Sequence, residues 1–431
     1  MAVLVLGGYG LIGSAIVERL GAQGVAVVGL GRRIDAARKR WPYVEWRAAD
    51  IAGLTTAEAW RPLLTGVDTV VNAAGALQQG LADDVIAVQQ YAMIALYVAA
   101  QSAGVRRVVQ VSAVGASPDS PLAFFRTKGA ADDALRASGL EHVILRPGLV
   151  ISPTAYGGTA LLRGLAAFPF LTPLVFADSV VQTVAVDDVA KAVAAAVDGK
   201  LDSGLSLDLV EEPRRTLAET VAVVRAWLGL APTRTLRLPS SLASVVGVVA
   251  DGLGWLGWRS PLRSTALAVM RTGVIGDAGA ARGHLGRPLP TLPQTLARMS
   301  AGPQERWFAR MWLLKPLTIA GLSAFWIASG VIALYRATAA IEALTARGAP
   351  ANLATGLVRS GAIVDIALGL AVLVRPLAAW SLRGMVLAGL AYMAGSVALA
   401  PDLWLDPLGP MVKIAPILIL ALVGLAVLDE R

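Results

Sequence analysis

The stretch MAVLVLGGYGLIG, residues 1–13, places an apolar run directly before glycines at positions 7, 10 and 13. The run lacks the basic residues and the small-residue cleavage site of a signal peptide, so we interpret it as a buried first strand. Glycine permits a tight turn, and a helix beginning at Leu11 would offer free backbone N–H groups and the positive end of its dipole to a pyrophosphate. The stretch therefore predicts a strand, a dinucleotide-binding turn and a helix, in that order.

Downstream of this turn, short apolar segments alternate with segments of helical length and period. Strands that alternate with helices indicate a parallel sheet with helices on both faces. We therefore predict an α/β fold with a Rossmann-type doubly wound sheet over residues 1–155. Strands are expected at 3–6, 25–30, 69–73, 108–112 and 142–146, and the helices between them include 11–20 and 83–103.

A small, helix-rich second subdomain for the substrate is predicted over residues 156–305, where the alternation loosens, and the chain is expected to return to the Rossmann sheet within this range. Two of its apolar stretches, 161–176 and 238–258, are interrupted by Arg, Asp or Pro. They fit either a surface that rests on a membrane or an ordinary apolar core, and the sequence leaves both open. Residues 211–215, EEPRR, are expected to form a solvated turn before a helix.

The composition excludes several classes of protein. Of the 431 residues, 56% are hydrophobic and 16% are charged, against about 25% charged in an average soluble domain. These values argue against a wholly soluble enzyme and exclude intrinsic disorder. The chain has no cysteine and two histidines, His142 and His284, which excludes disulfides, thiolate metal sites, cysteine nucleophiles and multi-histidine metal sites. The net charge of +8 is scattered, so we predict no nucleic-acid partner and assign the charge to a membrane surface or an anionic cofactor.

The last quarter of the chain carries the excess apolarity. Residues 316–335 are twenty positions without a charge, which is enough to span a bilayer core of about 30 Å. Three shorter apolar segments follow at 360–374, 384–400 and 414–428, rich in the small residues that pack closely in lipid. We therefore predict an all-α transmembrane bundle of four helices over residues 306–431. The alternative is a buried, soluble helical bundle.

The predicted spans suggest an orientation and contain one internal charge. We predict a multi-pass protein of the cytoplasmic (inner) membrane, with its N-terminal domain in the cytoplasm. Asp365 lies inside the second span, where an ionisable group is costly. It is either a quinone or proton site, or a structural group that pairs with Arg383 or Lys413 or sits nearer the interface. The cations that favour this orientation are Arg306, Arg310, Lys315, Arg375 and Arg383, while Arg336, Arg347 and Arg359 lie on the opposite side.

The end of the second predicted strand indicates which dinucleotide the turn would hold. An acid there accepts from the ribose 2′-hydroxyl of NAD, whereas arginine favours the 2′-phosphate of NADP. Arg32 and Arg33 end this strand without an acid, and two arginines can clamp a phosphate. We predict NADP(H), with solvated arginines as the alternative. Asp50 and Ile51, after the third strand, are placed to meet the adenine.

Further motifs extend the pattern: Asn72-Ala73-Ala74-Gly75, Ser112, Lys128 and Arg146-Pro147-Gly148. Together with GGYGLIG, Arg32 and Asp50-Ile51, they resemble the short-chain dehydrogenase/reductase superfamily. The closer likeness is to its extended and atypical branches, including the group around the NADPH-binding accessory subunit of respiratory complex I. The segment 182–190, QTVAVDDVA, is similar to a late strand–turn–helix marker of extended members. The segment 304–310, QERWFAR, the predicted spans and the segment 406–410, DPLGP, resemble proteins that fuse such a domain to a DoxX-like membrane domain.

The resemblance implies a catalytic Ser and a Tyr-x-x-x-Lys pair. In that family the Lys holds the ribose and lowers the pKa of the Tyr, which exchanges a proton with the substrate. Ser112 and Lys128 are present here, but Phe124 stands at the Tyr position. Because phenylalanine has no proton to give, the proton would come from water, from Lys128 or from another group such as Tyr156.

Two functions fit this departure from the family. The first is an oxidoreductase that passes a hydride from NADPH to a lipid-soluble acceptor, such as a quinone or another apolar substrate. The second is a catalytically impaired NADPH-binding scaffold or redox sensor, with a structural cofactor and a membrane-protein partner. Nucleotide-sugar epimerase or dehydratase chemistry fits less well, because family members that perform it need the Tyr and usually carry NAD. The lipid bilayer is a predicted partner in either of the first two cases.

The predicted site has no metal. Its catalytic residues are Ser112 and Lys128, with Phe124 at the Tyr position. The residues predicted to bind NADP(H) are Gly7, Gly8, Tyr9, Gly10, Leu11, Ile12, Gly13, Arg32, Arg33, Asp50, Ile51, Ala73, Ala74, Gly75, Ser112, Lys128, Pro147 and Gly148.

Overall fold

The structure is a computed structural model that describes residues 2–75 and 84–428. The chain divides into two compact units. The first comprises Met1–Asp251 and Ser260–Arg306, and the second comprises Gly252–Arg259 and Trp307–Arg431. The helix predicted at 83–103 begins at Asp83, which lies outside the described residues.

Strands and helices alternate along the first unit, as the alternating apolar and helical segments of the sequence predicted. The strands are β1 (Ala2–Leu6), β2 (Ala26–Gly31), β3 (Glu45–Ala48), β4 (Thr69–Asn72), β5 (Arg107–Val111), β6 (Glu141–Pro147), β7 (Leu149–Ile151), β8 (Leu171–Val175), β9 (Val180–Val181), β10 (Thr183–Ala185), β11 (Leu205–Leu209), β12 (Arg215–Thr216) and β13 (Arg234–Leu238). The helices up to residue 297 are α1 (Leu11–Ala22), α2 (Asp35–Arg40), α3 (Ala57–Trp60), α4 (Ala92–Ser102), α5 (Ala123–Ala137), α6 (Gly157–Ala166), α7 (Val186–Val197), α8 (Leu217–Trp227), α9 (Ser240–Trp255), α10 (Ser264–Thr272), α11 (Ala278–Leu285) and α12 (Leu292–Ala297).

Seven strands form one sheet in the order β11-β6-β5-β4-β1-β2-β3, and every neighbouring pair is parallel. This confirms the predicted doubly wound sheet, and each of the five predicted strands begins and ends within one residue of an observed strand. The strand order reverses between β1 and β4. In sheets of this kind, ligands bind beside the carboxyl ends of the strands at the point of reversal.

The strands of this sheet are buried on both faces. Along β1, Val3 and Val5 pack in the hydrophobic cluster that contains helix α1, whereas Leu4 and Leu6 pack in the cluster that contains helix α4. Successive side chains of a strand point to opposite faces, so a strand covered on both sides must be apolar throughout. This requirement explains why the uninterrupted apolar run at the start of the chain predicts a strand.

A second part of the first unit contains three two-stranded ladders, β7–β10, β9–β12 and β8–β13. Glu211 lies among them and is fully buried. Its carboxylate accepts hydrogen bonds from the hydroxyl of Thr183 at 2.6 Å and from the N–H of Leu292 at 2.8 Å, and it pairs with Arg215. The prediction of a solvated turn is therefore wrong for Glu211, because this carboxylate ties β10 to the start of α12.

Helices make up the second unit: α13 (Pro303–Tyr335), α14 (Ala337–Thr345), α15 (Ala351–Ala371), α16 (Arg375–Leu399) and α17 (Ile414–Ala426). Among the described residues, α13, α15 and α16 are long and apolar enough to cross a membrane. The fourth predicted span corresponds to α17, whose 13 residues extend about 20 Å and fall short of a core of about 30 Å. Three of the four predicted spans therefore correspond to the long helices α13, α15 and α16, and the fourth to the shorter apolar helix α17.

Small residues let the helices of the second unit approach closely. A Cβ atom on Gly330 of α13 would lie 2.4 Å from the carbonyl oxygen of Ala362 on α15. The hydroxyl of Ser323 donates to the carbonyl of Gly369 at 2.7 Å. Contacts of this kind are typical of helices that associate in lipid. In the most apolar windows of α13, α15 and α16, 33%, 22% and 17% of the residues are buried, which does not fit the alternative of a buried, soluble bundle.

Candidate functional site

The first loop of the sheet is a tight turn that requires glycine. Gly7 adopts a left-handed backbone conformation, with φ at 68°, and its N–H donates to the carbonyl of Leu30 at 3.0 Å. The N–H of Gly10 donates to the carbonyl of Gly7 at 2.8 Å. A Cβ atom on Gly13 would lie 2.1 Å from that same carbonyl oxygen. The turn therefore holds the start of α1 directly against the end of β1.

The start of α1 carries no competing negative charge. Within the described chain, this helix has no side-chain cap and no acidic residue in its first turn. Leu11, Ile12 and Gly13 are its first residues, so their N–H groups have no acceptor within the helix. Together with the preceding Gly8 and Tyr9, they form a helix start that suits a pyrophosphate.

Tyr9 organises the end of β2. Its hydroxyl oxygen accepts hydrogen bonds from the backbone N–H groups of Arg32, at 3.2 Å, and Arg33, at 3.4 Å. A Cβ atom on Gly31 would lie 2.2 Å from Cε1 of Tyr9, so the ring fits only because residue 31 is glycine. Both arginines are exposed. Tyr9 was predicted to bind the cofactor, but its hydrogen bonds to the backbone of Arg32 and Arg33 were not predicted. These hydrogen bonds join the glycine turn to the arginines.

Asp50 and Ile51 follow β3 at the same edge of the sheet. The side chain of Asp50 accepts from the N–H of Ala52 at 3.2 Å and so begins a short 3₁₀ turn, while Ile51 is buried. Asp50 is exposed at this edge. A turn-forming role therefore accounts for an aspartate at position 50 even without a ligand.

The loop after β4 passes beside the glycine turn. The side chain of Asn72 fixes this loop, since its Oδ1 accepts from the N–H of Ala74 at 3.0 Å. A Cβ atom on Gly7 would lie 3.1 Å from Cα of Ala74 and 3.2 Å from the carbonyl oxygen of Ala73. The predicted residues of this loop therefore lie at the crevice between β1 and β4.

Lys128 joins the β4 loop to the end of β5. Its ammonium group donates to the carbonyl of Val111 at 3.2 Å, and a Cβ atom on Gly75 would lie 3.5 Å from Nζ. Phe124, one turn earlier on α5, places its ring centroid 5.8 Å from Nζ. Burial lowers the pKa of Lys128 to about 8, although the charge of Asp132 acts to raise it. Lys128 therefore loses its charge as the pH rises through about 8.

A buried carboxylate, which the sequence analysis missed, takes the hydrogen bond of Ser112. The hydroxyl of Ser112 donates to Oδ2 of Asp132 at 2.8 Å, and Arg146 donates to the same oxygen at 3.2 Å. Burial raises the pKa of the Asp132 carboxyl, while the hydrogen bond from Ser112 and the charge of Arg146 lower it. Because the proton of Ser112 is engaged, this hydroxyl can offer a ligand an acceptor. The available signal was spacing, since Asp132 stands four residues after Lys128 on the same face of α5.

Pro147 and Gly148 lie at the end of β6. The carbonyl of Pro147 accepts from the N–H of Val114 at 3.2 Å, and the N–H of Gly148 donates to the carbonyl of Leu209 at 3.0 Å. A Cβ atom on Gly148 would lie 2.6 Å from the carbonyl oxygen of Gln182. The close approach of neighbouring strands therefore explains this glycine without a ligand.

Asp365 of the second unit is buried on α15. Its Oδ1 accepts from the hydroxyl of Tyr392 at 2.6 Å, and its Oδ2 accepts from the hydroxyl of Ser329 at 2.8 Å. In the part of the chain that the structure describes, the pairing of Asp365 with Arg383 or Lys413, one of the alternatives left open by the sequence, is not formed. The carboxyl is held by neutral hydroxyl groups instead.

Two family models match separate parts of the chain. Residues 7–200 match the NAD(P)H-binding family, and residues 323–422 match the DoxX-like family. Among curated proteins, the NAD(P)H azoreductase of Xenophilus azovorans is 32% identical over 149 residues, which are 34% of this chain and 47% of that protein. The chain spans less than half the length of the curated relatives that it matches.

Solved structures of low sequence identity share the fold of the first unit. A nucleoside-diphosphate-sugar epimerase from Staphylococcus aureus matches with a TM-score of 0.54 and 18% identity, covering 69% of this chain and 99% of that one. The enzyme WbmG from Bordetella bronchiseptica, solved with NAD and UDP, matches with a TM-score of 0.52 and 15% identity, covering 68% and 92%. Residues 7–200 are therefore similar to NAD(P)H-binding domains of Rossmann fold, and residues 323–422 are similar to the DoxX-like family.

Proposed function

We propose that the chain is a membrane-anchored, NADP(H)-binding oxidoreductase that passes a hydride to a lipid-soluble acceptor such as a quinone. The observation that carries this proposal is the crevice between β1 and β4, where the uncapped start of α1, the 73–75 loop and Lys128 come together. The same chain contains helices long and apolar enough to cross a membrane, which supports an acceptor dissolved in the bilayer.

The end of β2 supports NADP(H) as the cofactor. Arg32 and Arg33 follow this strand directly, and the hydroxyl of Tyr9 holds the backbone of both. Two guanidinium groups on a fixed turn suit the 2′-phosphate that distinguishes NADP from NAD. The WbmG structure was solved with NAD, so this is the point on which we expect the chain to differ from that neighbour.

The residues beside the crevice have distinct proposed roles. The bound cofactor would supply the hydride. Lys128 would hold the ribose and carry an exchangeable proton, since its pKa is lowered to about 8. Ser112 would accept a hydrogen bond, because its own proton is bound by Asp132. Phe124 adds an apolar surface beside Nζ, so the proton of the reduced acceptor would come from Lys128 or from water.

We also propose that the first unit lies on the cytoplasmic side of the cytoplasmic (inner) membrane, in a multi-pass arrangement. NADPH is a cytosolic cofactor, so the unit that binds it needs access to that compartment. One curated relative is named an NAD(P)H azoreductase, and this name supports reduction as the class of reaction.

A second candidate is an NADPH-binding scaffold or redox sensor with a membrane-protein partner. Two observations favour it. Phe124 cannot give a proton, and the hydroxyl of Ser112 is committed to Asp132. In this case the cofactor would be structural and would not turn over.

The experiment that tests these proposals identifies the nucleotide that co-purifies with the full chain in detergent and times its exchange with labelled NADPH. An enzyme must release the oxidised cofactor in every turnover, so exchange within seconds supports catalysis. A stoichiometric NADPH that stays bound for hours supports the scaffold. Recovery of NAD(H) would contradict the assignment of NADP(H).

A double variant, Arg32→Ala with Arg33→Ala, provides the control for cofactor choice. Charge-assisted hydrogen bonds contribute about 1.5–3 kcal/mol, so we expect the dissociation constant for NADPH to rise at least about tenfold. The affinity for NADH should change little, because NADH lacks the 2′-phosphate. An equal loss of affinity for both nucleotides would contradict the proposed role of the arginines.

A further inference from the structure

Helix α9 presents an apolar face to solvent, which is the reverse of an ordinary surface helix. Val245, Val248 and Val249 are 60%, 70% and 59% exposed, and no charged residue occurs from 240 to 250. The sequence left this segment open between a membrane-resting surface and an apolar core, and its exposure excludes the core. The buried positions of the helix are Ala243, Gly247 and Ala250.

The buried face of α9 packs against α10 through small residues. A Cβ atom on Gly247 would lie 3.3 Å from Cα of Ser264, at the first position of α10. The guanidinium of Arg263 donates to the carboxylate of Asp251 at 2.9 Å. The two helices are therefore held together by their inner faces, and the three valines stay outside this contact.

The segment that follows α9 has the composition of a membrane interface. Residues Gly252–Arg259 belong to the second unit. The indole N–H of Trp258 donates to the carbonyl of Leu373 at 2.6 Å, just after the end of α15. The cations of Lys315 and Arg375 lie 6.0 and 5.7 Å from the ring of Trp258, and Arg375 is the first residue of α16. Tryptophan and basic side chains gather in this way where membrane helices leave the hydrocarbon.

We propose that the exposed face of α9 inserts into the headgroup boundary of the bilayer that α13, α15 and α16 are proposed to cross. A helix of 16 residues extends about 24 Å, which is shorter than a hydrocarbon core of about 30 Å, so α9 lies in the interface. The bilayer is the occupant that the structure favours, because α9 ends three residues before the interface residue Trp258. This proposal rests on the membrane anchoring proposed above and is independent of hydride transfer.

The absence of cysteine makes the proposal testable by site-specific labelling. The variant Val248→Cys carries the single thiol of the chain, and Gln23→Cys provides a matched control at an exposed position after α1. Each full-length variant is labelled with an environment-sensitive fluorophore and reconstituted in phosphatidylcholine vesicles, with or without nitroxide-labelled lipid. We expect the lipid nitroxide to quench the label at 248 at least about twofold more than the label at 23, and aqueous iodide to do the opposite.

Equal quenching at both positions would overturn the proposal, because it would place Val248 in water. A label at 248 that is shielded from both quenchers would also overturn it, since a second copy of the chain or another protein would then cover the face. Val245→Cys repeats the measurement one turn away, so that a failure to fold or to label at one position does not decide the result. Loss of NADPH turnover in any variant has no bearing on the outcome, which depends on fluorescence alone.

Discussion

Each unit of the chain buries a carboxylate, and the two units satisfy these carboxylates differently. Asp132 of the first unit accepts from the hydroxyl of Ser112 and the guanidinium of Arg146. Asp365 of the second unit accepts from hydroxyl groups, including that of Tyr392. Removing a buried charge from a pair leaves its partner charge stranded, whereas removing a hydroxyl leaves only a lost hydrogen bond. The comparison therefore predicts large effects of substitution in the first network and small effects in the second.

The largest expected effect is that of Asp132→Ala. The substitution leaves Arg146 and Lys128 without the carboxylate that balances them, so the free energy of unfolding should fall by about 3 kcal/mol. The measurement is proteolysis of the first unit across a urea series in detergent. Asp133→Ala is the matched control, because Asp133 is exposed and pairs with Arg136 on the surface, where such a pair contributes about 0.2–1 kcal/mol. Equal losses in the two variants would contradict the expected difference between a buried carboxylate with charged partners and a surface carboxylate.

The second-largest expected effect is a faster turnover of NADPH in the variant Phe124→Tyr. In the second unit, the phenol of Tyr392 donates to a carboxylate. In the first unit, the ring beside Lys128 is that of Phe124, which has no hydroxyl group. A phenol placed there would restore a proton donor, and a positioned donor contributes about 100-fold or more to such a step. NADPH oxidation with a soluble quinone measures the change. The gain should vanish when Lys128→Met is added, and a gain that survives in the double variant would contradict the proposed pairing.

A smaller effect follows from the titration of Lys128. Its pKa is lowered to about 8, so the ammonium group is charged below that pH and loses its charge as the pH rises through it. The dissociation constant for NADPH should therefore increase about tenfold between pH 7 and pH 9, as a charge-assisted hydrogen bond to the ribose is lost. Fluorescence titration of NADPH measures this. Lys128→Arg keeps its charge throughout, and a pH dependence that persists in this variant would assign the titration to another group.

Local patterns in the sequence predicted the parts of the fold that depend on neighbours in the chain. The apolar run and glycines at 7, 10 and 13 fix β1, the turn and α1, because each constraint acts within a few residues. The role of Asp132 could not be predicted from the sequence, because its partners Ser112 and Arg146 lie at the end of β5 and on β6. These strands come close to α5 only in the folded sheet. The same reason hid the contact of Tyr9 with Arg32, across the end of β2.

Exposure could not be predicted from composition in the apolar segments. Residues 238–258 and 414–428 are both apolar. The first segment contains α9, which exposes an apolar face, and the second contains α17, whose 13 residues are too few to span a bilayer core. The hydropathy of a segment shows that its side chains are apolar, but it does not show which other elements pack against them in the fold. Glu211 shows the converse, since a charged residue in a turn sequence became fully buried once three elements met around it.

Tyr392→Phe should have the smallest effect, and it tests how strongly the buried Asp365 depends on a hydroxyl partner. The substitution removes one hydroxyl from Asp365 and keeps the ring that packs against Trp326, at 6.4 Å between centroids. Hydrogen bonds between helices in lipid average about 0.6 kcal/mol, so the free energy of unfolding in mixed micelles should fall by about that amount. Tyr335→Phe is the control, because Tyr335 is 86% exposed and its substitution should change stability by close to zero. A loss of about 3 kcal/mol in Tyr392→Phe would equal that expected for Asp132→Ala, and would mean that Asp365 depends on its hydroxyl partner as strongly as Asp132 depends on its cations.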